Sequence, residues 1–119
     1  VHDSEPADQA FLRGPYDVSI APNGDIYIAD SYNQRIRAVD AQTGIIRTAA
    51  GNGARAYGGD GGPATGANLG NPGGVSVDSR GRVVIADTRH GHVRRVDERG
   101  IIHNVAGAAF QGIHRFVPA

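Results

Sequence analysis

The sequence contains no Cys, Met, Trp or Lys among its 119 residues. Without Cys, the chain has neither a disulfide framework nor a thiolate that could bind a metal or attack a substrate. No apolar run approaches the roughly 18 residues of a membrane-spanning helix, which predicts no membrane insertion. No signal-peptide segment opens the chain, although a secreted or periplasmic protein that has already lost its signal would look the same.

The charged residues balance, because the sequence has 12 Arg and a combined total of 12 Asp and Glu. No run of five like charges occurs. Nucleic-acid-binding domains usually carry a concentrated basic patch or stripe. We therefore expect no nucleic-acid partner.

Glycine and proline are plentiful, with 18 and 6 residues respectively, and the glycines follow no three-residue period. They separate short apolar runs, which is the position of turn residues. Many short strands joined by frequent turns predict an all-β fold.

One stretch of the chain occurs twice. Residues 24–40 return 57 positions later as residues 81–97, with apolar, Gly and Asp positions on their counterparts. The likeness extends upstream, since residues 6–12 match 63–69 and predict a short helical turn in each copy. A period of this length indicates one supersecondary unit that has been copied and stacked.

Each copy contains four predicted strands. They span 15–21, 25–30, 35–40 and 45–50 in the first copy and 73–78, 82–87, 92–97 and 101–106 in the second. The second strand of the first copy, Ile26-Tyr27-Ile28-Ala29, is apolar without alternation. Such a strand is buried on both faces, as in a β-propeller blade that packs between two neighbours. We expect a core of Val18, Ile20, Ile26, Ile28, Val39, Val75, Val77, Val83, Ile85 and Val96.

These motifs resemble NHL-repeat blades. The resemblance rests on Gly14-Pro15-Tyr16-Asp17-Val18, Gly24-Asp25-Ile26-Tyr27-Ile28-Ala29-Asp30, Asn33-Gln34-Arg35-Ile36-Arg37, Asn71-Pro72-Gly73-Gly74-Val75 and Ile85-Ala86-Asp87-Thr88. The connector Gly59-Asp60-Gly61-Gly62-Pro63-Ala64-Thr65 resembles that of the bacterial, long-linker branch. The resemblance implies four-stranded blades in a ring, usually of six, with the first strand innermost. The second copy departs from the pattern at His90 and His92, where the family favours Asn and Arg.

We divide the chain into a first blade at 5–53, a Gly-rich connector at 54–62, a second blade at 63–107 and a tail at 108–119. The simplest interpretation of the whole glycine-rich stretch from 52 to 62 is a flexible surface loop. Two blades cannot close a ring, and each outer blade of an isolated pair would leave an apolar face bare. We therefore expect self-association, as a trimer of six blades, or membership of a longer protein.

The candidate site residues lie at the ends and faces of strands. Asp30 and Asp87 close the second strand of each copy, and their repetition favours turn caps, with Arg35 as a partner of Asp30, over metal ligands. Arg35 and Arg37 share one face of the third strand, from which they could grip an anionic ligand. Carboxylates of a neighbouring blade are their alternative partners.

A metal hypothesis rests on His90 and His92. A His-x-His pair on an extended segment places both rings on one side, and a zinc site would need a third ligand such as Asp87. The alternative is two surface histidines without a metal. The sequence contains no nucleophile elbow and no P-loop.

Two classes of function remain. The first, which we favour, is a non-catalytic binding or scaffolding module without a cofactor, whose loops meet a protein or small ligand. The second is a fragment of a propeller lyase or hydrolase with a metal-assisted site near the ring axis, because NHL-like propellers include such lyases. Fold alone does not decide between them.

Overall fold

Blade 1 is a five-stranded antiparallel sheet in the computed structural model, which describes residues 3–108. Its strands are β1 (Glu5–Pro6), β2 (Pro15–Ile20), β3 (Ile26–Asp30), β4 (Arg35–Val39) and β5 (Ile45–Ala50). They lie in the order β1-β5-β4-β3-β2, so the short β1 adds to the outer edge of four consecutive strands.

Blade 2 is a four-stranded antiparallel sheet. Its strands are β6 (Gly74–Val77), β7 (Val83–Asp87), β8 (His92–Val96) and β9 (Ile102–Ala106), and they lie in sequence order. The all-β prediction is confirmed, and each of the eight predicted strands is observed to within one residue at either end.

Short 3-10 turns connect the strands. They lie at Ala7–Gln9, Ser31–Asn33, Ala64–Gly66 and Thr88–His90. The first and third confirm the helical turns predicted for 6–12 and 63–69. Within residues 3–108, no helix is long and apolar enough to cross a membrane.

A glycine in a left-handed conformation ends each blade. Gly51 follows β5 with φ 91°, and Gly107 follows β9 with φ 99°. A Cβ at either position would collide with the backbone carbonyl oxygen of Gln34 or Gly91, respectively. Only glycine therefore lets the last strand run this close to the start of the third.

The end of the glycine-rich stretch is bonded to blade 2. The N–H of Gly61 donates to the carbonyl of Ile102, and the N–H of Ile102 donates to Gly62. Blade 1 has the matching bond from Ser4 to Ile46. The residues before Pro63 thus continue the outer edge of blade 2, as β1 and Ser4 do in blade 1. Apart from Ala108, the predicted tail lies outside the described residues.

The core lies between the two blades and under the segment that leads into blade 2. Of the predicted core residues, Val75, Val83, Ile85 and Val96 are buried, and Ile28, Val39 and Val77 are half-buried. The prediction was wrong for Val18, Ile20 and Ile26, which are exposed. These three lie on the face of blade 1 that points away from blade 2, which nothing in the described chain covers.

Candidate functional site

A buried ion pair lies at the end of β3 in blade 1. Nη1 of Arg37 is 3.4 Å from Oδ2 of Asp30, and neither side chain reaches solvent. The carboxylate also accepts hydrogen bonds from the N–H of Arg13 at 2.7 Å and the side-chain amide of Asn33 at 2.8 Å. Arg37 extends to Asp3, at 3.0 Å. Buried charges are costly unless they are paired and hydrogen-bonded, and these partners provide that compensation for Asp30 and Arg37.

Blade 2 repeats the network with the same spacing. Nη1 of Arg94 is 3.2 Å from Oδ2 of Asp87, and both side chains are fully buried. Asp87 also bonds the N–H of Gly70 at 2.8 Å and Nδ1 of His90 at 2.9 Å, and Nη2 of Arg94 is 2.9 Å from Asp60. Every partner stands 57 residues after its counterpart in blade 1.

The two carboxylates accept backbone N–H bonds, as the cap interpretation requires. The donors are Arg13 and Gly70, however, which precede the first strand of each blade. Neither Asp30 nor Asp87 caps a backbone N–H of the 3-10 turn that follows it. In that turn each carboxylate bonds a side chain instead, that of Asn33 or His90. The carboxylates therefore tie the entry of each blade to the end of its second strand.

The arginines proposed for ligand binding are both bonded within the protein. Arg37 is buried with Asp30, so the predicted pairing of Asp30 with Arg35 is wrong. Arg35 instead donates to the carbonyl oxygens of Asn33 at 3.1 Å and Asn52 at 3.2 Å. Asp30 belongs to the same blade as Arg37, so the expected pairing with a carboxylate of a neighbouring blade is wrong for Arg37.

The two histidines proposed for metal binding have separate partners. His90 lies in a 3-10 turn, with Nδ1 on Asp87 and Nε2 on the carbonyl oxygen of Arg55. Nδ1 of buried His92 is 2.8 Å from Oδ1 of Asn104. The structure thus joins His90 to Asp87, whereas His92 bonds Asn104.

Both histidine rings nevertheless lie against Tyr57, which the sequence did not single out. The ring of His92 stacks on Tyr57 with centroids 4.3 Å apart, and the ring of His90 meets it edge-on at 5.4 Å. The Arg94 guanidinium lies 4.7 Å from the Tyr57 centroid, and the Tyr57 hydroxyl donates to Asp60. Burial, followed by the bond to Asp60, raises the pKa of Tyr57 to about 12. We call these five residues the Tyr57 cluster.

The Tyr57 cluster has the character of a packing and hydrogen-bonding unit. In residues 3–108, no three His, Asp or Glu side chains are grouped so that they could hold a metal ion.

Sequence reasoning missed the pairing of Asp3 and Asp60 with the buried arginines. The available signal was their separation by the same 57 residues as Arg37 and Arg94.

The junction between the blades is formed by β2 and β6, which lie side by side. The N–H of Val75 donates to Oδ2 of Asp17 at 3.0 Å, and the N–H of Val77 donates to Oγ of Ser19 at 3.2 Å. Polar side chains on the first strand of blade 1 thus satisfy backbone donors on the first strand of blade 2.

A third junction bond comes from the turn before β4. The N–H of Asn71 donates to Oε1 of Gln34 at 2.6 Å. Gln34 is buried and has the left-handed φ of 57°. Non-glycine residues rarely adopt this conformation, and here the partly buried bond to blade 2 stabilises it.

Equivalent apolar residues have opposite exposure in the two blades. Val18 is 58% exposed, whereas Val75, its counterpart 57 residues later, is 5% exposed against blade 1. We call the uncovered surface the bare face; it comprises Val18, Ile20, Ile26 and Ile28, the counterparts of Val75, Val77, Val83 and Ile85. The bare face contains a hollow of about 370 Å³, which Leu12 and Tyr16 also line.

The far side of blade 2 resembles the surface of blade 1 that covers Val75. Blade 1 packs Ala29, Ile36 and Ala50 into the core between the blades. We call the counterparts of these residues in blade 2 the outer face; they are Ala86, Val93 and Ala106, and all are more exposed. The chain therefore ends in two complementary surfaces.

Two family models match this chain. The Teneurin NHL domain matches residues 48–115, and the NHL repeat matches residues 12–39. The chain belongs to the NHL-repeat family. The two NHL blades described above therefore carry the repeats that the sequence resemblance implied.

Curated relatives contain similar NHL sequence within much longer chains. One is the chloroplastic Protein SUPPRESSOR OF QUENCHING 1 of Arabidopsis thaliana, which is 35% identical over 89 residues. That match covers 75% of this chain and 8% of the relative. Another is Teneurin-3 of Mus musculus, 30% identical over 119 residues, covering 90% of this chain and 4% of the relative.

Solved structures share the fold of these blades. A structural genomics protein of unknown function from Bacteroides thetaiotaomicron has a TM-score of 0.71 and 23% identity, covering 80% of this chain and 24% of that chain. A streptogramin B lyase has a TM-score of 0.59 and 14% identity, covering 78% and 26%. At these sequence identities, the similarity shows a shared fold alone.

Proposed function

We propose that the chain is a non-catalytic binding or scaffolding module of two NHL blades whose ring is completed by copies of itself. The observation that carries this proposal is the contrast between Val18 and Val75. The same position is buried where a blade covers it and exposed where none does. An exposed apolar surface of this kind marks an interaction site.

The outer face of blade 2 is the proposed occupant of the bare face. It offers Ala86, Val93 and Ala106 where the observed junction uses Ala29, Ile36 and Ala50. Small and β-branched side chains at these positions allow another sheet to approach closely. A second copy can therefore reproduce the junction that already joins the two blades of one chain.

Repetition of a head-to-tail contact closes into a ring when the rotation fits. The NHL resemblance implies six blades, which corresponds to three chains of two blades with threefold symmetry. Eight blades from four chains is the less favoured arrangement.

The burial of the charged residues that recur in each repeat supports a binding role. Asp30 with Arg37, and Asp87 with Arg94, are buried ion pairs inside their blades. Their recurrence follows from blade structure, which leaves the loops of the ring to contact a protein or small ligand.

A mixing experiment tests the head-to-tail junction. Ile20→Glu places a charge on the bare face, and Ala86→Arg places a bulky charge on the outer face. Each variant alone retains one intact face and should stay at single-chain mass. An equimolar mixture has one intact pair of faces and should form a species of two chains, measured by light scattering at high concentration.

The control is Gln42→Glu, which adds a charge in an exposed turn and should leave assembly unchanged. If the mixture stays at single-chain mass while the wild type assembles, the contact does not join these two faces. A wild type that is monomeric at every concentration would contradict self-completion of the ring.

The alternative, a lyase or hydrolase fragment, takes its support from the lyase among the structural neighbours. It requires a metal at His90, His92 and Asp87.

A further inference from the structure

Three polar bonds beside the first strands of the blade junction run in one direction. Each uses an acceptor side chain of blade 1 and a backbone N–H of blade 2. The acceptors are Asp17, Ser19 and Gln34, and the donors are Val75, Val77 and Asn71. At these three bonds the second blade contributes only its main chain, and the side chains of the first blade supply the acceptors. Elsewhere, the N–H of Gly51 donates to the carbonyl of Ala64, and the side-chain amide of Asn52 donates to the carbonyl of Gly66.

A junction between two copies would use the equivalent positions of each blade. The donors would be the N–H groups of Gly14, Val18 and Ile20, the counterparts of Asn71, Val75 and Val77. The acceptors would come from blade 2 of the other copy, where Gly74, Ser76 and Gly91 replace Asp17, Ser19 and Gln34. Of these three, only Ser76 has a side chain that can accept a hydrogen bond.

Blade 1 already compensates at one of these donors. The N–H of Val18 is bonded to Oδ1 of its own Asp17 at 2.9 Å, while Oδ2 of the same carboxylate serves Val75. At the junction between copies, the N–H of Gly14 would receive no bond equivalent to the one that Gln34 accepts, because Gly91 of the other copy has no side chain.

We infer that Gly91 makes the junction between copies weaker than the junction within the chain, so that the ring assembles reversibly. This inference rests on the proposed function, because it assumes that a second copy covers the bare face. The residue at the Gln34 position then sets junction strength. A blade with an acceptor there would bind the bare face more tightly than blade 2 of this chain does.

Gly91 can accept a glutamine without rearrangement. Its φ and ψ of 69° and 32° resemble the 57° and 40° of Gln34, and each is the last residue before the third strand. A Cβ at Gly91 would meet no heavy atom within 4 Å. Gly74 is a poorer choice, because a Cβ there would lie 3.7 Å from the Asp17 carboxylate, and an added Asp would repel it.

The test is Gly91→Gln, with Gly91→Met as the matched control. Met is similar in length and carries the same left-handed backbone cost, but it lacks the amide acceptor. That cost is present in free and assembled chains alike and does not affect association. One added hydrogen bond strengthens each junction about fivefold. Across three junctions this gives roughly 100-fold in the trimer association constant, and therefore about a tenfold lower midpoint concentration.

Sedimentation equilibrium over a range of concentrations measures that midpoint, and Ser76→Ala provides a second arm. The inference predicts a lower midpoint for Gly91→Gln than for wild type and Gly91→Met, and a higher one for Ser76→Ala. A wild type that assembles with a midpoint shared by Gly91→Gln and Gly91→Met would overturn this inference and leave the proposed function intact. Monomers throughout, Gly91→Gln included, would overturn both.

Discussion

Oδ2 of Asp87 lies 3.2 Å from Nη1 of Arg94, and neither side chain reaches solvent. Removal of one partner leaves a buried charge without compensation, which typically costs about 3–5 kcal/mol. We expect Arg94→Met to lower the free energy of unfolding by this amount, measured by urea denaturation. The control Arg80→Met breaks the exposed pair with Glu98 and should change little. Equal small losses in both variants would contradict the buried network.

His90 occupies the position of Asn33, and each donates to the buried Asp of its blade. We therefore expect His90→Asn to lose less stability than His90→Ala. Loss of a hydrogen bond to a charged partner costs about 1.5–3 kcal/mol, which the Ala variant should approach. Elemental analysis of the wild type and both variants separates this role from metal binding. A stoichiometric metal that disappears with either substitution would identify His90 as a ligand and support the enzyme alternative.

The sequence predicted the strands well because strand signals are local. Alternating and continuous apolar runs such as Ile26-Tyr27-Ile28-Ala29 lie between recognisable turns, and a second copy checks every boundary. The partner of Asp30 was harder to predict. Arg35 and Arg37 lie on the same face of one strand, and only the packing of the entry segment determines which guanidinium turns inward.

The core prediction is right at the blade junction and wrong on most of the bare face. Ile85 is fully buried, whereas Ile20, on the bare face, is 69% exposed. We expect Ile85→Ala to cost about 2–5 kcal/mol in the free energy of unfolding, the range for removal of a packed aliphatic side chain. Ile20→Ala should cost far less in the dissociated chain but should weaken assembly. Similar unfolding losses for both variants at low concentration would show that the bare face is covered within one chain.

Exposure of Val18, Ile20 and Ile26 could not be foreseen from their residue types. Their sequence pattern is that of Val75 and Val83, which are buried, and of Val77, which is half-buried. What covers them is a property of the assembly, and sequence periodicity does not contain it.

Tyr57 should titrate at unusually high pH. Its pKa in the folded protein is raised from 10.0 to about 12, mainly by burial. The neutral phenol therefore contributes stability that is present below pH 10 and is lost as the pH rises towards 12. We expect the unfolding free energy of the wild type to fall more over this interval than that of Tyr57→Phe. An absorbance titration in which all four tyrosines ionise together near pH 10 would contradict the contacts assigned to Tyr57.

The mass of the assembled protein tests the central claim, that copies of the chain complete the ring. Light scattering after size exclusion should give about three times the chain mass of 12.4 kDa at high concentration, with dissociation on dilution. A folded protein that unfolds cooperatively and keeps the single-chain mass at all concentrations would contradict the account.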